Sequence, residues 1–110
     1  PYTVLEKTRR GDRDVEIAVK NLDLLIGRTP ILVDDIISSG RTMLEAVRLI
    51  GVRGKGKPVC VAVHGLFADK SDELLEKAAA RVVTSNTVPH RTNEIDLTPI
   101  LAGAVGELTR

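Results

Sequence analysis

Residues 31–42 run Ile-Leu-Val-Asp-Asp-Ile-Ile-Ser-Ser-Gly-Arg-Thr, and this stretch holds the densest chemistry in the chain. Asp34 and Asp35 are adjacent carboxylates directly after an aliphatic run. Ser38, Ser39 and Thr42 offer hydroxyl donors, Gly40 lets a backbone come close, and Arg41 stands where a helix should begin. Free amides at a helix start, with the helix dipole behind them, attract a phosphate dianion. Carboxylates just upstream accept hydrogen bonds from vicinal sugar hydroxyls. Phosphate donors beside diol acceptors describe a sugar phosphate. The same residues also read as two acids ending a strand before an ordinary Ser-Ser-Gly turn, and pattern alone does not separate the two. Adjacent acids after a buried strand are costly unless solvated or paired, which favours the functional reading. The Gly-x-x-x-x-Gly-Lys-Ser/Thr spacing of a Walker loop is absent.

Other reactive side chains are sparse. Lys7, Arg9, Arg10 and Arg13 cluster near the start, where they can form a solvated surface or grip a small polyanion. Cys60 is the single cysteine and lies in an apolar run, so a buried thiol is expected and no disulfide or metal cluster. His64 has no second ligand near it in sequence and is expected to be partly buried and held by backbone hydrogen bonds. His90 is expected on a surface loop. No metal ligands are assigned within the chain.

Composition narrows the class. The 110 residues suffice for one small domain. Hydrophobic residues make up 43%, yet Tyr2 and Phe67 are the only aromatics, so the core must be aliphatic. That suits a parallel sheet covered by helices and argues against a base-stacking platform for nucleic acid. A net charge of +1 gives no global field for DNA or anionic lipid. No stretch approaches a membrane span and no secretory signal is visible, so a cytoplasmic protein is expected.

The elements that must position these residues follow from periodicity. Thr3–Lys7 reads as a strand, Thr8–Arg13 as a basic loop, and Asp14–Val19 as a half-exposed strand. Gly27 and Pro30 bracket a turn before Ile31–Val33, expected as a fully buried strand ending at Asp34-Asp35. Met43, Ala46, Val47, Leu49 and Ile50 recur at helical spacing, and Gly51, Gly54 and Gly56 close that helix. Pro58–Val63 is a second buried strand. Ser71 with Asp72 and Glu73 suits a capped helix start, with Leu74, Leu75, Ala78 and Ala79 as the buried stripe. Arg81–Asn86 is a third strand. Asp96–Leu108 is a closing helix with Pro99 in its first turn and Leu101, Ala104, Val105 and Leu108 facing inward. The alternation predicts an α/β fold, a three-layer parallel sheet flanked by helices. Because Pro1 leads almost at once into a strand, a fragment with an incomplete domain is expected.

Val33–Thr42 resembles the phosphoribosyl-pyrophosphate-binding motif of type I phosphoribosyltransferases and the related pyrophosphokinases. Three further stretches resemble the ribose-phosphate pyrophosphokinases in particular. Leu5-Glu6-Lys7-Thr8-Arg9 is similar to the start of their catalytic flexible loop, and Ala62–Phe67 to a later strand exit. Val83–Pro89 with Asp96–Ala102 is similar to their last strand and closing helix. The likeness covers nearly the whole chain and implies the carboxy-terminal half of such an enzyme, residues 1–110, without its amino-terminal domain and first strand.

By resemblance, Asp34 and Asp35 bind the ribose 2- and 3-hydroxyls, and Ser38, Ser39, Gly40, Arg41 and Thr42 cradle the 5-phosphate. Lys7 and Arg9 are the catalytic cations that close over the ATP phosphates. The implied partners are ribose 5-phosphate and ATP with Mg2+, and the full-length protein is implied to be a homo-oligomer. Two residues depart from the pattern: many members have Asp at Ser38 and a small residue at Arg41. The chain alone is expected to have little synthase activity and to expose an apolar face or edge that favours self-association. A phosphoribosyltransferase using the same pocket and a non-catalytic synthase-associated protein are the competing readings. The intact Lys7 and Arg9 speak against the latter, and Ser38 and Arg41 speak for it.

Overall fold

The computed structural model describes residues 1–10, 14–53 and 56–110, with all their side chains except those of Arg9, Arg10, Asp14, Val15, Glu16, Val19 and Leu22. Arg13 of the basic cluster and Gly54, one of the glycines expected to close the first helix, lie outside the described residues, as do the side chains of Arg9 and Arg10.

Two sheets form. Strands β1 (Leu5–Arg10) and β2 (Asp14–Val19) pair antiparallel as a separate two-stranded ribbon. The expected loop over Thr8–Arg13 is therefore corrected for its first part, because Thr8, Arg9 and Arg10 continue β1 and pair with Glu16, Val15 and Asp14. The second sheet has four parallel strands in the order β3 (Ile31–Ile37), β4 (Val59–Gly65), β5 (Arg81–Ser85) and β6 (Asn93–Ile95). The expected α/β class with a parallel sheet is what the chain adopts. Strand β6 and a 3-10 turn at Leu22–Leu25 were not foreseen, since each is too short to carry a period.

Register decides which side chains meet. Leu32, Cys60 and Val82 lie abreast across β3, β4 and β5, with Ala62 and Thr84 paired two residues further on, and all five are buried. Over this face lie helices α1 (Arg41–Val52) and α2 (Ser71–Ala78). Helix α1 contributes Met43, Ala46, Val47 and Ile50, the three-and-four spacing that keeps one face inward. Helix α2 contributes Leu75, which is fully buried. Truncating such a leucine to alanine costs about 2–5 kcal/mol. Leu74, expected in the same stripe, is half exposed. Cys60 is fully buried, and burial pushes its thiol up to about 11, as the apolar reading implied.

The opposite face is open. Ile31 is 62% and Val33 74% exposed, so the expected fully buried Ile31–Val33 strand is corrected: β3 is an edge strand covered on one side. Nor does it stop at the acids, because it continues through Asp34 and Asp35 to Ile37. Helix α3 (Thr98–Leu108) begins with Pro99 in its first turn as expected, tied to the β5 exit by Asn86, which donates to Asp96 Oδ1 at 2.8 Å. Its expected inward face is not realised: Leu101, Val105 and Leu108 are all exposed, as is Ala104. Periodicity identified the helix but could not supply a surface for it to cover.

Candidate functional site

The loop from β3 to α1 stands at the carboxyl end of the sheet, where open parallel sheets bind ligands. Gly40 is the N-cap of α1 and adopts φ 74° and ψ 2°, left-handed geometry that favours glycine. It is also packed: a Cβ built there would sit 2.8 Å from the Ser71 Cβ. Gly40 is thus pressed against the protein's own α2.

Four donors hold the loop from behind. The amides of Leu66 and Phe67 donate to the Ile37 carbonyl at 2.9 and 3.1 Å. The Ala68 amide donates to the Ser38 carbonyl at 2.8 Å, and the Ser71 hydroxyl donates to the same oxygen at 3.0 Å. Among the described residues, no acceptor is found for the amides of Ser39, Gly40, Arg41 and Thr42. The loop thus turns its carbonyls inward and leaves a run of amides at the start of α1. Ser38, Ser39 and Arg41 are exposed and Thr42 is half-buried.

Asp34 and Asp35 lie immediately upstream. Each folds one carboxylate oxygen onto the next amide: Asp35 N–H donates to Asp34 Oδ1 and Ile36 N–H to Asp35 Oδ1, both at 2.8 Å. Neither forms an ion pair among the described residues. Their environments diverge. Partial burial holds the Asp34 carboxyl above the ordinary range, with the neighbouring Asp35 adding to it; the Asp35 amide and the Lys7 charge pull the other way. Asp35 is held below the ordinary range by its hydrogen bond with Asp34, then by the Ile36 amide.

The hairpin reaches this site. Leu5 and Ile17 pack against the core cluster, and the charge of Lys7 is felt at Asp34. Lys7 is thus brought towards the acids, on the strand that its pattern implied and that continues past it through Arg10. Arg9 lies two residues further along β1, its side chain outside the described residues.

His64 stands beside the acids, in register with Ile36, and helps to hold Asp35 low, whereas His90 lies apart from the loop. His64 is half-buried and shares a 2.8 Å hydrogen bond with the Thr87 hydroxyl, a side-chain partner where a backbone one was expected. His90 is corrected from a surface residue to a half-buried one. Its ring lies 4.4 Å from that of Phe67, and its nitrogens meet Asp72 at 3.1 Å and Thr92 at 2.9 Å. Burial pushes the Asp72 carboxyl up, but hydrogen bonds from Arg91 and His90 outweigh it and hold the group below the usual range. Sequence reasoning also missed Ser71, read as a helix cap. In the structure Lys70 occupies the N-cap and no side chain caps α2. A Ser-Asp-Glu helix start carries no local mark of such a distant partner.

An open parallel sheet whose carboxyl end presents paired acids and an amide-lined turn defines an α/β domain of the kind that binds ligands beyond its strand ends. Comparison with known proteins agrees. A family model described as the phosphoribosyl synthetase-associated domain matches residues 18–106. The ribose-phosphate pyrophosphokinase of Sulfurisphaera tokodaii is 40% identical over 108 residues, covering 92% of this chain and 36% of that protein. The ribose-phosphate pyrophosphokinase of Methanopyrus kandleri is 36% identical over 109 residues, covering 98% of this chain and 37% of that protein. The crystal structure of phosphoribosylpyrophosphate synthetase from Mycobacterium smegmatis superposes with a TM-score of 0.73 at 26% identity, covering 99% of this chain and 37% of that one.

The chain belongs to the phosphoribosyl synthetase-associated domain family. It spans little more than a third of the length of the relatives it matches.

Proposed function

We propose that this chain supplies the ribose 5-phosphate site of a ribose-phosphate pyrophosphokinase, as a carboxy-terminal segment amounting to little more than a third of that enzyme. The observation that carries the proposal is the β3–α1 loop, whose amides from Ser39 to Thr42 lack acceptors among the described residues while Asp34 and Asp35 stand just upstream. In this reading those amides, with the hydroxyls of Ser38, Ser39 and Thr42, hold the 5-phosphate, and Arg41 adds a cation at its rim. Asp34 and Asp35 accept hydrogen bonds from the 2- and 3-hydroxyls through their second oxygens.

The complete enzyme transfers a diphosphoryl group. The sugar 1-hydroxyl oxygen loses its proton to solvent and forms a bond to the β-phosphorus of ATP, the bond from that phosphorus to the α–β bridging oxygen breaks, and AMP leaves. Such transfer depends on positioning and charge neutralisation more than on covalent chemistry. Lys7, whose charge already reaches Asp34, and Arg9 after it are the cations for the triphosphate. Closing them over the phosphates would exclude water that otherwise hydrolyses ATP.

Magnesium fits the residues as a companion of ATP. Among the described residues no group of three or more ligating side chains exists, and magnesium commonly takes one or two carboxylates alongside substrate phosphates. Held chiefly by the phosphates of ATP, the ion would neutralise their charge, while Asp34 and Asp35 stay with the sugar hydroxyls. The proposal includes a cytoplasmic, homo-oligomeric full-length enzyme. Among the described residues no helix is long and apolar enough to cross a membrane.

A non-catalytic synthase-associated chain is the second reading, favoured by Ser38 and Arg41, which depart from the motif that the chain resembles. Two measurements separate them. Isothermal titration of the chain with ribose 5-phosphate is expected to show one site, lost when Asp34 and Asp35 are both changed to Asn. Exchanging residues 1–110 for the matching segment of the Sulfurisphaera tokodaii enzyme is expected to preserve AMP release from Mg-ATP. A wild-type chain that does not bind the sugar phosphate would sink the proposal, and a chimera that binds it without releasing AMP would leave the associated-protein reading.

A further inference from the structure

Serine at the start of a helix normally turns its hydroxyl back to cap the free amides. Ser71 does not: it is 1% exposed, makes no capping bond, and sends its hydroxyl 3.0 Å to the carbonyl of Ser38, 33 residues earlier. Its Cβ is also the wall that crowds Gly40. One side chain therefore touches the β3–α1 loop twice, at the carbonyl before the glycine hinge and at the hinge itself.

The consequence is electrostatic as well as steric. A carbonyl oxygen facing the amides of Ser39–Thr42 would repel an anion. The Ser38 carbonyl is instead drawn inward by the Ala68 amide and the Ser71 hydroxyl, and the Ile37 carbonyl by the amides of Leu66 and Phe67. Peptide planes are rigid, so fixing a carbonyl inward fixes the following amide outward. Ser38 O turned into the body thus aims Ser39 N–H away from it, into the turn. Phe67 is set by its own packing: its ring lies against His90, and a Cβ on Gly65 would collide with the ring edge at 2.5 Å.

We propose that Ser71 is a positioning residue for the phosphate of the sugar phosphate, acting through the Ser38 peptide and never touching the ligand. The inference rests on the sugar-phosphate reading of the loop and extends it to a residue on a different helix. Ser71→Ala removes one oxygen, leaves the Cβ wall against Gly40, and leaves Ala68 N–H on the Ser38 carbonyl, so the fold is retained. Loss of one hydrogen bond that orders a binding loop predicts about five- to tenfold weaker binding of ribose 5-phosphate.

The test pairs Ser71→Ala with Ile50→Val, a buried change near the far end of α1 that lowers stability without reaching the loop. Titration with ribose 5-phosphate and with inorganic phosphate is followed by calorimetry and by the amide resonances of Ser39, Gly40, Arg41 and Thr42. The expected result is weaker binding of both ligands by Ser71→Ala only, with the Ser39 amide shifted in the free protein and thermal midpoints comparable for the two variants. Equal affinity of Ser71→Ala and wild type overturns the positioning role while leaving the sugar-phosphate site standing. Weakening that Ile50→Val reproduces shows a general stability effect and overturns it too. Absence of binding by the wild-type chain removes both proposals together.

Discussion

The two sides of the candidate site are built differently. The β3–α1 loop is tied from behind by hydrogen bonds from Leu66, Phe67, Ala68 and Ser71 and closed by the Gly40–Ser71 contact. The β1–β2 hairpin that carries Lys7 is a separate two-stranded ribbon, joined to the core through the partly buried Leu5 and Ile17. A two-stranded ribbon has little stability of its own. A site for a small charged ligand gains from donors fixed before the ligand arrives, whereas cations that must close over a second substrate gain from a loosely attached support. The tethered side thus suits binding, and the lightly held side suits closure.

The largest expected effect breaks the tethered side. Gly40→Ala forces a side chain into left-handed geometry against Ser71 and is expected to destabilise the chain by about 2–4 kcal/mol and abolish ribose 5-phosphate binding. Gly27→Ala is its control, since Gly27 has φ 70° with nothing within 4 Å of its built Cβ. There only the backbone term of about 1 kcal/mol remains. Thermal melts of the two variants measure the difference, and equal losses would mean that the Ser71 contact contributes nothing.

The second effect isolates the hairpin. In the chimeric enzyme, Lys7→Ala is expected to lower turnover about a hundredfold, the scale for losing one charge-stabilising group, with ribose 5-phosphate affinity unchanged. A parallel loss of sugar affinity would move Lys7 from the closing side to the binding side.

The smallest effect sits between the two, at Asp34, which feels both its burial and Lys7. Its carboxyl is raised in the folded state, so above the folded value its charge costs stability, and that cost disappears once the pH falls below the unfolded value of 3.8. Asp34→Asn keeps an oxygen for the Asp35 amide. It is expected to raise the melting temperature at pH 7 by about 1–3 °C, small because solvent screens the group, while sugar binding falls. Near pH 3 the gain should vanish. A variant less stable than wild type at pH 7 would show that Lys7 already compensates the acid.

A second contrast separates the sheet's faces. Periodicity identified α1, α2 and α3 alike, but only α1 and α2 have a surface to cover. Ile31, Val33 and Val63 remain exposed on the other side. These side chains leave an apolar patch on that face of the sheet.

The local sequence was enough to establish the parallel α/β alternation, the amphipathic stripe of α1, the buried Cys60, and the acids and small residues of the β3–α1 turn. Each depends on neighbours within a few positions: period, β-branching, glycine and hydroxyl chemistry. Only the tertiary structure decided that β3 is an edge strand, that Thr8–Arg10 pair in a ribbon, that His90 lies tilted against Phe67, and that Ser71 serves Ser38 and not its own helix. Those outcomes arise from contacts between residues far apart in the chain. Local propensity has no term for such contacts, because their energy exists only once the strands are in register and the helices are laid over them.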